Sequence, residues 1–490
     1  MSSSSAQDTP DAIDPAIWRM AFTIIVGAMA VVFDTTIVSV ALNDLTHELH
    51  ASLSTVQWIS AGYLLAMFVT IPVAGWAQTA IGGKRLWILA LGIFLLGSVL
   101  CATAWDVTSL IVFRVVQGIG GGIMMPLMIT LIMQAAGGRN LGRIMATVTL
   151  PATLGPILGP VIGGLILGVG SWRWLFLVNV PFCVAGAYLA HRNLPADPPT
   201  RRARLDVVGL VLVSPGVAAV VYGLSQVEGS GGFRSARVLV PVIAGLALVA
   251  AFVAWALPRS ASALINLKLL RNRSLASAST LGFLAGVTLF GAMLLLPLYW
   301  QQARGEDALG AGLLLIPQGV GTLLSRTVVG RATDRFGPRV VALTGFTVVA
   351  VATVPFAFVT ADTSKVLLLA ALLVRGAGMA AATTPLNSAA YIGLAREEIP
   401  HASIISRVTM LLGGSVGTAV LAVVLQHFVA DAHTPTATAD AFGNAFWWSV
   451  GFTVAAIPLG LLLPGRPQPL PEPERTEVEA EAEVESAGLA

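Results

Sequence analysis

Long apolar runs recur along the whole chain, and they constrain its fold more than any other feature. Most are about 20 to 25 residues long, the length that an α-helix needs to cross a bilayer. Hydrophobic residues make up 56% of the 490 residues and charged residues only 11%, whereas soluble domains carry about 25% charged residues. The mean hydropathy is +0.82. The sequence therefore predicts an all-α integral membrane protein.

The breaks between the apolar runs predict the number of membrane-spanning helices. Polar, Gly-rich or Pro-rich stretches separate fourteen runs. Because fourteen is even, both ends of the chain would lie on the same side of the membrane. The predicted spans are residues 17–42, 55–77, 86–105, 108–132, 142–168, 174–193, 207–226, 238–257, 275–300, 310–330, 340–360, 366–395, 402–428 and 444–464.

The charges of the loops predict the orientation of these spans. Cytoplasmic loops of membrane proteins carry an excess of Lys and Arg. When the N-terminus is placed inside, most of the 28 Lys and Arg residues fall in cytoplasmic segments. We therefore expect a multi-pass protein of the cytoplasmic membrane with both termini in the cytoplasm.

A short loop sequence occurs twice and indicates an internal repeat. GWAQTAIGGKR, residues 75–85, recurs in outline as GRATDRFGPR, residues 330–339, with an offset of 255 residues. Six spans accompany each copy and two more form an inserted hairpin, so the arrangement is 6 + 2 + 6. Repeats of this kind place a binding site near the bilayer midplane, between two bundles that rock about it. The predicted segments are a disordered cytoplasmic tail (1–16), an N-terminal six-helix bundle (17–193), a basic linker (194–206), the hairpin (207–257), a C-terminal six-helix bundle (258–464) and an acidic, Pro/Glu-rich cytoplasmic tail (465–490).

Asp34 is the acidic residue that lies deepest in a predicted span. It is about 8 residues, or roughly 12 Å, from the outer end of the first span. A charged Asp near the bilayer centre costs on the order of 3 kcal/mol or more, so it needs a cavity, a partner or a proton. Arg114 of the fourth span lies at a compatible depth, and Gln117 follows it by about one helical turn. We interpret Asp34 and Arg114 as a proton-coupling pair, and the alternative is a permanent structural ion pair.

Gly and Pro recur every four residues in the fifth span. Residues four apart share one face of a helix, so the glycines form a groove that another helix can approach closely. The prolines bend the helix. An ordinary packing seam of small residues is the alternative interpretation. The residues concerned, in the string LGPILGPVIGG, are Gly155, Pro156, Gly159, Pro160, Gly163 and Gly164.

Several of these strings resemble motifs of one transporter family. LGPILGPVIGG resembles the antiporter motif G-x8-G-x3-G-P-x3-G-P-x2-G-G of drug exporters in the major facilitator superfamily. RVVQGIGGG, which begins at Arg114, resembles the superfamily motif R-x-x-Q-G-x-G, whose Arg is implicated in proton transfer. DTTIVSVAL, VQWISAGYLL and SWRWLFLVNVPF resemble signatures of the fourteen-span drug:H+ antiporters. The resemblance implies the major facilitator fold, with two pseudo-symmetric bundles around a central cavity.

The repeated loop resembles the cytoplasmic signature G-x-L-a-D-R-x-G-r-k-x-x of the same superfamily. In the first copy Thr79 and Ala80 stand where the Asp and Arg of the signature belong, so these two charges are missing. Charges that merely set the topology are the alternative interpretation of Lys84 and Arg85. The resemblance implies a gating role for Gly75, Gly82, Lys84 and Arg85 in the first copy and for Gly330, Asp334, Arg335, Gly337 and Arg339 in the second.

Other polar residues within the spans are candidates for lining the cavity. Arg375 could reach it from the second half together with Gln318 and Asn387, and a structural role is the alternative. Tyr63 is a candidate because it belongs to the second-span pattern W-x-x-x-x-Y. The remaining span arginines, Arg326 and Arg407, lie near predicted cytoplasmic ends, and we expect their side chains to snorkel towards the interface.

Together these strings predict a proton-coupled secondary exporter, a drug:H+ antiporter, rather than an enzyme. We expect an amphipathic substrate that is a monovalent cation, a zwitterion or neutral, because a single embedded carboxylate is set against several arginines. The same machinery could instead export an endogenous antibiotic, amino acid or lipid, and a transport-dead membrane sensor or scaffold is a further alternative.

The expected partners follow from this function. They are the lipid bilayer, a small-molecule substrate and protons, with no nucleic acid, and the protein is expected to be a monomer. The sequence contains no phosphate-binding G-x-x-x-x-G-K-[ST] loop and no zinc-ligand spacing. We therefore expect no metal and no cofactor, with the proton gradient as the source of energy.

Overall fold

A computed structural model describes residues 15–41, 45, 48–51, 53–136, 144, 147, 155, 159, 162–163, 165–167, 170–197, 205–226, 234–259, 263–306, 308–360, 363–395, 397–429 and 434–465. Helix is the only regular secondary structure in these ranges. A bilayer favours this architecture, because a helix satisfies its backbone hydrogen bonds internally and lipid offers no partners.

The first half contains a sharply bent pair of helices. The helices Leu53–Thr70 and Val73–Ile81 differ in direction by 58°. Pro72 lies at the bend, where its missing N–H and its ring interrupt the helix.

Asp106 precedes the helix Val107–Ala136. It accepts a hydrogen bond of 2.7 Å from the Ser109 backbone N–H, which lowers the pKa of Asp106. The helices are α1 (Pro15–Val40), α2 (Leu53–Thr70), α3 (Val73–Ile81), α4 (Gly83–Ala102), α5 (Val107–Ala136), α6 (Trp174–Leu177) and α7 (Asn179–Asn193).

The rest of the described chain is equally helical. A π-helix, Tyr299–Ala303, directly follows the helix Arg273–Leu298. The helices are α8 (Val207–Ser225), α9 (Ala236–Ala256), α10 (Arg273–Leu298), α11 (Ala308–Leu314), α12 (Ile316–Phe336), α13 (Pro338–Ala357), α14 (Lys365–Ala389), α15 (Ile399–Val429) and α16 (Pro435–Gly460).

Eleven described helical segments are long and apolar enough to cross a membrane, and the bent pair α2–α3 makes a twelfth if it counts as one span. These twelve correspond to twelve of the predicted spans. The predicted span 142–168 falls mostly outside the described residues, and α16, which overlaps the predicted span 444–464, is not among the eleven. The all-helical membrane fold is confirmed, whereas the count of fourteen and the 6 + 2 + 6 arrangement stay predictions.

Each half is held together by a few extensive helix contacts. In the N-terminal half α1 packs against α7, and α5 packs against both α2 and α4. In the C-terminal half α10 packs against α15, and α14 packs against both α12 and α13. α8 and α9 pack against each other as a hairpin, and α8 also contacts α2 and α15. The hairpin therefore touches both halves of the molecule.

The hydrophobic cores indicate where the two halves meet. One cluster combines both halves and includes Met133 of α5, Leu275 of α10 and Ile404 of α15. In the predicted orientation these residues lie at cytoplasmic ends of their helices. Towards the opposite ends the halves have separate clusters, which include Phe176 in the N-terminal half and Phe356 in the C-terminal half. Within the described ranges, the halves thus share a core at the predicted cytoplasmic side and have separate cores at the outer side.

Candidate functional site

Asp34 and Arg114 form a buried ion pair inside the N-terminal half. Asp34 lies on α1 and Arg114 on α5, and their side chains are 0% and 1% exposed. Arg114 Nη1 donates to Asp34 Oδ2 at 2.5 Å, and Arg114 Nε donates to the carbonyl oxygen of Ile59 at 3.1 Å. The structure thus brings together the two residues that were predicted as a pair from their depth alone.

Two amides complete the surroundings of the Asp34 carboxylate. Gln117 Nε2 donates to Asp34 Oδ1 at 2.9 Å, and Asn179 Nδ2 donates to the same oxygen at 3.0 Å. Both amides also reach the Ser98 hydroxyl, at 2.7 and 3.4 Å. Gln117 Oε1 accepts from Arg114 Nη1 at 2.6 Å. In each of these described hydrogen bonds Asp34 is the acceptor, which suits an ionised carboxylate because it has acceptor sites only.

The aromatic ring of Tyr63 packs against the guanidinium of Arg114. The centre of its ring lies 4.0 Å from the guanidinium carbon of Arg114, within the range of a cation–π contact. The Tyr63 hydroxyl is buried and has no hydrogen-bond partner in the described part of the chain. Tyr63 therefore supports Arg114 through its ring, and its hydroxyl stays available to another group.

The glycines of the fifth predicted span pack against α1 on either side of Asp34. Gly155, Gly159 and Gly163 are helical and buried. A Cβ added at Gly155 would meet Val32, and one added at Gly159 would meet Thr36. These two α1 residues flank Asp34 by two positions on each side. The other motif residues, Pro156, Pro160 and Gly164, lie outside the described residues.

A second buried arginine lies in the C-terminal half. Arg375 on α14 is 1% exposed. Its Nη1 donates to Gln318 Oε1 at 2.7 Å, its Nε to Thr353 Oγ1 at 3.2 Å and its Nη2 to the Thr288 carbonyl oxygen at 3.5 Å. Asn387 is on the same helix, 12 residues or about 18 Å further along, and no described hydrogen bond joins it to this group. The structure thus brings together Arg375 and Gln318 but not Asn387.

Arg326 does not snorkel as expected. Arg326 is 8% exposed. The side chain of Arg407 is only partly buried, and its Nε atom is buried without a hydrogen-bond partner among the described residues. For Arg326 the expectation was wrong, because depth along a helix does not reveal which face a side chain occupies, and for Arg407 it stays a prediction.

The first loop copy lacks the Asp of the signature, and a carboxylate from another part of the chain binds it instead. Asp197, which follows α7, accepts from the backbone N–H groups of Lys84 and Arg85 at 2.8 and 3.0 Å. Lys84 Nζ donates in turn to the carbonyl oxygens of His191 and Leu194. Gly82 has a φ of 97°, in the region that favours glycine.

The same loop also meets the other half. A Cβ added at Gly75 would lie 3.0 Å from Ile404 Cδ1. Gly75 and Gly82 thus occupy positions where a side chain would meet a neighbour or strain the backbone.

Arg339 anchors the second loop copy. Arg339 Nε donates to the Leu463 carbonyl oxygen at 2.7 Å, and Gly337 has a φ of 85°. Gly330 is buried in α12. Asp334 and Arg335 both interact with other residues, and a latch formed by these two charges stays a prediction.

Two residues of the site were not singled out from the sequence. Ser98 lies in an apolar run without a motif, so no signal marked it. Asn179 lies within SWRWLFLVNVPF, the string that resembles a family signature before and in the sixth span, and that Asn was a usable signal. In the described ranges no group of three or more His, Cys, Asp or Glu residues is placed to hold a metal ion.

Comparisons with known protein sequences place these features in a family. The sequence model of the Major Facilitator Superfamily matches residues 24–418 and 279–487. The Multidrug resistance protein B homolog of Mycobacterium tuberculosis (strain ATCC 25618 / H37Rv) is 38% identical over 426 residues, which cover 86% of this chain and 79% of that protein. The lincomycin resistance protein LmrB of Bacillus subtilis (strain 168) is 28% identical over 392 residues, which cover 79% of this chain and 81% of that protein.

Solved structures share the architecture at low sequence identity. The human organic anion transporter MFSD10 (TETRAN) has a TM-score of 0.63 at 15% identity and covers 91% of this chain and 100% of its own. The proton:xylose symporter XylE has a TM-score of 0.60 at 15% identity and covers 90% of this chain and 96% of its own. At these identities the likeness shows a common fold and nothing finer.

Proposed function

Because this chain belongs to the Major Facilitator Superfamily, we propose that it is a proton-coupled secondary exporter, a drug:H+ antiporter, of the cytoplasmic membrane. Its substrates are amphipathic compounds that are monovalent cations, zwitterions or neutral molecules. The names of the relatives, a multidrug resistance protein homolog and a lincomycin resistance protein, support drug export. Proton coupling rests on the chemistry of the buried site.

The observation that carries the proposal is the fully buried pair of Asp34 and Arg114. In our mechanism Asp34 exchanges its proton with one side of the membrane at a time, as the two bundles alternate in exposure. A proton on Asp34 removes its negative charge and weakens its bond from Arg114. Arg114 then keeps the Gln117 amide oxygen and the Ile59 carbonyl oxygen as neutral partners, so its contacts differ between the two protonation states.

The glycine motif supplies a route from this chemistry to movement. Gly155 and Gly159 pack against Val32 and Thr36, which flank Asp34 on α1. Because glycine places no side chain at the interface, the two helices can approach closely. A shift of α1 that follows protonation of Asp34 would therefore move the fifth span directly.

The available energy is adequate for export. A proton that crosses about 150 mV releases roughly 3.5 kcal/mol. This supports a concentration gradient of about 300-fold, because 1.4 kcal/mol corresponds to a factor of ten.

Reconstitution into liposomes with an imposed pH gradient tests the proposal. We expect the wild-type protein to move a fluorescent drug against its concentration gradient and to carry protons in the opposite direction. The variant Asp34→Asn should lose the uphill movement and the proton flux but retain downhill exchange of the drug.

Asp440→Asn is the matched control, because it removes an exposed carboxylate of α16. It should transport like the wild type. Uphill transport that persists at the wild-type rate in Asp34→Asn would remove Asp34 from the coupling mechanism.

A further inference from the structure

The two halves carry buried polar networks at corresponding positions. At the offset of 255 residues defined by the repeated loop, Tyr63 corresponds to Gln318 and Ser98 to Thr353. Thr288 corresponds to Asp34 within one residue. Each set surrounds one buried arginine, Arg114 in the N-terminal half and Arg375 in the C-terminal half, and these two arginines are 261 rather than 255 residues apart.

The networks differ in charge. The carboxylate of Asp34 neutralises Arg114, whereas Thr288 offers Arg375 a backbone carbonyl oxygen at 3.5 Å. The other partners of Arg375 are the Gln318 amide oxygen and the Thr353 hydroxyl, which are also neutral. No described carboxylate pairs with Arg375, although its side chain is 1% exposed. A buried charge without a counter-charge is unfavourable, so binding of an anion would stabilise Arg375.

The guanidinium of Arg375 has donors to spare. An arginine side chain carries five N–H groups in a planar fork that matches a carboxylate or phosphate. Three of them have acceptors in the described structure, and one of these bonds is long at 3.5 Å. Gln318, the nearest partner, is half-buried, so its amide is the group that an incoming anion would displace. A charged acceptor in that position bonds more strongly than the neutral amide oxygen.

A second cation reinforces the positive potential of this half. The Nε atom of Arg407 on α15 is buried without a hydrogen-bond partner in the described structure. The described acidic residues of this half lie in loops or near helix ends: Glu306, Asp334, Glu397, Glu398 and Asp440. Arginines without embedded carboxylates create a field that attracts anions.

We propose that Arg375, assisted by Gln318, is an anion-binding site, and that it binds the anionic group of the transported molecule. This inference rests on the proposed export function and narrows it. Among the substrate charges considered above, only a zwitterion carries an anionic group. An inorganic anion such as chloride offers the same chemistry, so the test separates the two sources.

The test compares two dyes that differ at one group. Rhodamine B carries a free carboxylate and a delocalised cation, and its ethyl ester keeps the cation but lacks the carboxylate. In proteoliposomes with a pH gradient, Arg375→Gln should lower transport of rhodamine B at least about tenfold and change transport of the ester less than about twofold. Lys365→Gln, a matched control on the same helix whose charge is 53% exposed, should alter neither dye.

Exchange of the salt identifies the source of the anion. If chloride fills the site, replacement of chloride by methanesulfonate should slow both dyes in the wild type, and Arg375→Gln should remove that dependence. Equal losses for both dyes with no effect of chloride would overturn the proposal, because they are expected of a purely structural arginine.

A binding measurement separates this inference from the export function. Rhodamine B should raise the thermal unfolding temperature of the purified wild type but not of Arg375→Gln, while its ester should act equally on both. If the wild type moves neither dye but shows this difference, the export function fails and the anion site stands. If transport occurs without the difference, and chloride does not stabilise the wild type over the variant either, the anion site fails. Arg375→Lys, which keeps the charge, should retain part of the preference for rhodamine B even if Arg375→Gln does not fold.

Discussion

The hydroxyl oxygens of Thr130 and Ser403 lie 3.0 Å apart, although 273 residues separate them in the chain. Thr130 is on α5 of the N-terminal half and Ser403 on α15 of the C-terminal half, both at the predicted cytoplasmic side. The Tyr391 hydroxyl lies 3.1 Å from Ser403 and adds a third member. These hydroxyls are buried beside the core that the two halves share, so the described structure is closed on this side.

If this contact must open during transport, a covalent link across it should stop the cycle. In the double variant Thr130→Cys/Ser403→Cys, made in a background of Cys101→Ser and Cys183→Ser, an oxidant should form a disulfide because the native oxygens are already close. We expect transport to fall to background on oxidation and to recover on reduction. Proteolytic cleavage of the chain between the two halves, followed by electrophoresis, would show whether the disulfide joins them.

Thr130→Cys alone is the control and should respond to neither treatment. Undiminished transport by the fully cross-linked protein would mean that the halves do not separate at this point.

The ion pair at the centre of the site was predictable from the sequence for a simple physical reason. Asp34 and Arg114 are charged residues in apolar runs, and burial of either alone is costly. Their depths along two antiparallel spans therefore indicated a contact. The repeated loop likewise predicts two halves.

Other parts of the site were not predictable, because they depend on which face of a helix turns inward. Ser98 is neutral and small, so nothing in the sequence separated it from other span residues. Arg326 was expected to reach the interface but is buried, and Asn387 was grouped with Arg375 although about 18 Å of helix lies between them. The contact of Asp197 with the first loop bridges more than one hundred residues, and local patterns contain no trace of it.

The close approach of Gly159 to α1 should make this position intolerant of a side chain. A Cβ there would overlap the side chain of Thr36. We expect Gly159→Ala to destabilise the protein by about 1–3 kcal/mol and to slow transport, as measured by thermal unfolding and dye efflux. Thr36→Ala should restore part of both losses in the double variant.

Gly92→Ala provides the matched control in the same half, since no atom lies within 4 Å of the added Cβ. Its stability should equal or exceed that of the wild type, because alanine favours helix over glycine. Similar losses in Gly92→Ala and Gly159→Ala would show that close packing on α1 is not the cause.

Asp197 should stabilise the start of α4. Its carboxylate accepts the backbone N–H groups of Lys84 and Arg85, as a helix cap does. Asp197→Ala should cost about 0.5–2 kcal/mol of stability, measured by chemical or thermal unfolding.

Asp197→Asn separates hydrogen bonding from charge, because asparagine retains one acceptor oxygen. It should lose less stability than the alanine variant. Equal stability of Asp197→Ala and the wild type would argue against a capping role.

The described structure places no carboxylate beside Arg375, and a mutation can supply one. Thr288→Asp places an acid one residue from the position that corresponds to Asp34, next to a guanidinium whose described partners are neutral. The new carboxylate should pair with Arg375, because an ion pair removes the cost of the isolated charge, and it should thereby occupy the proposed anion site. We expect transport of rhodamine B to fall at least about tenfold, with its ethyl ester nearly unaffected.

Thr288→Asn matches this variant in size and also removes the hydroxyl that lies 3.2 Å from that of Thr453, but it adds no charge. Any loss that arises from disturbed packing should therefore appear equally in both variants. A selective loss of rhodamine B transport in Thr288→Asp alone isolates the effect of the charge. Indistinguishable behaviour of the two variants towards both dyes would mean that the charge of Arg375 does not act on the transported molecule.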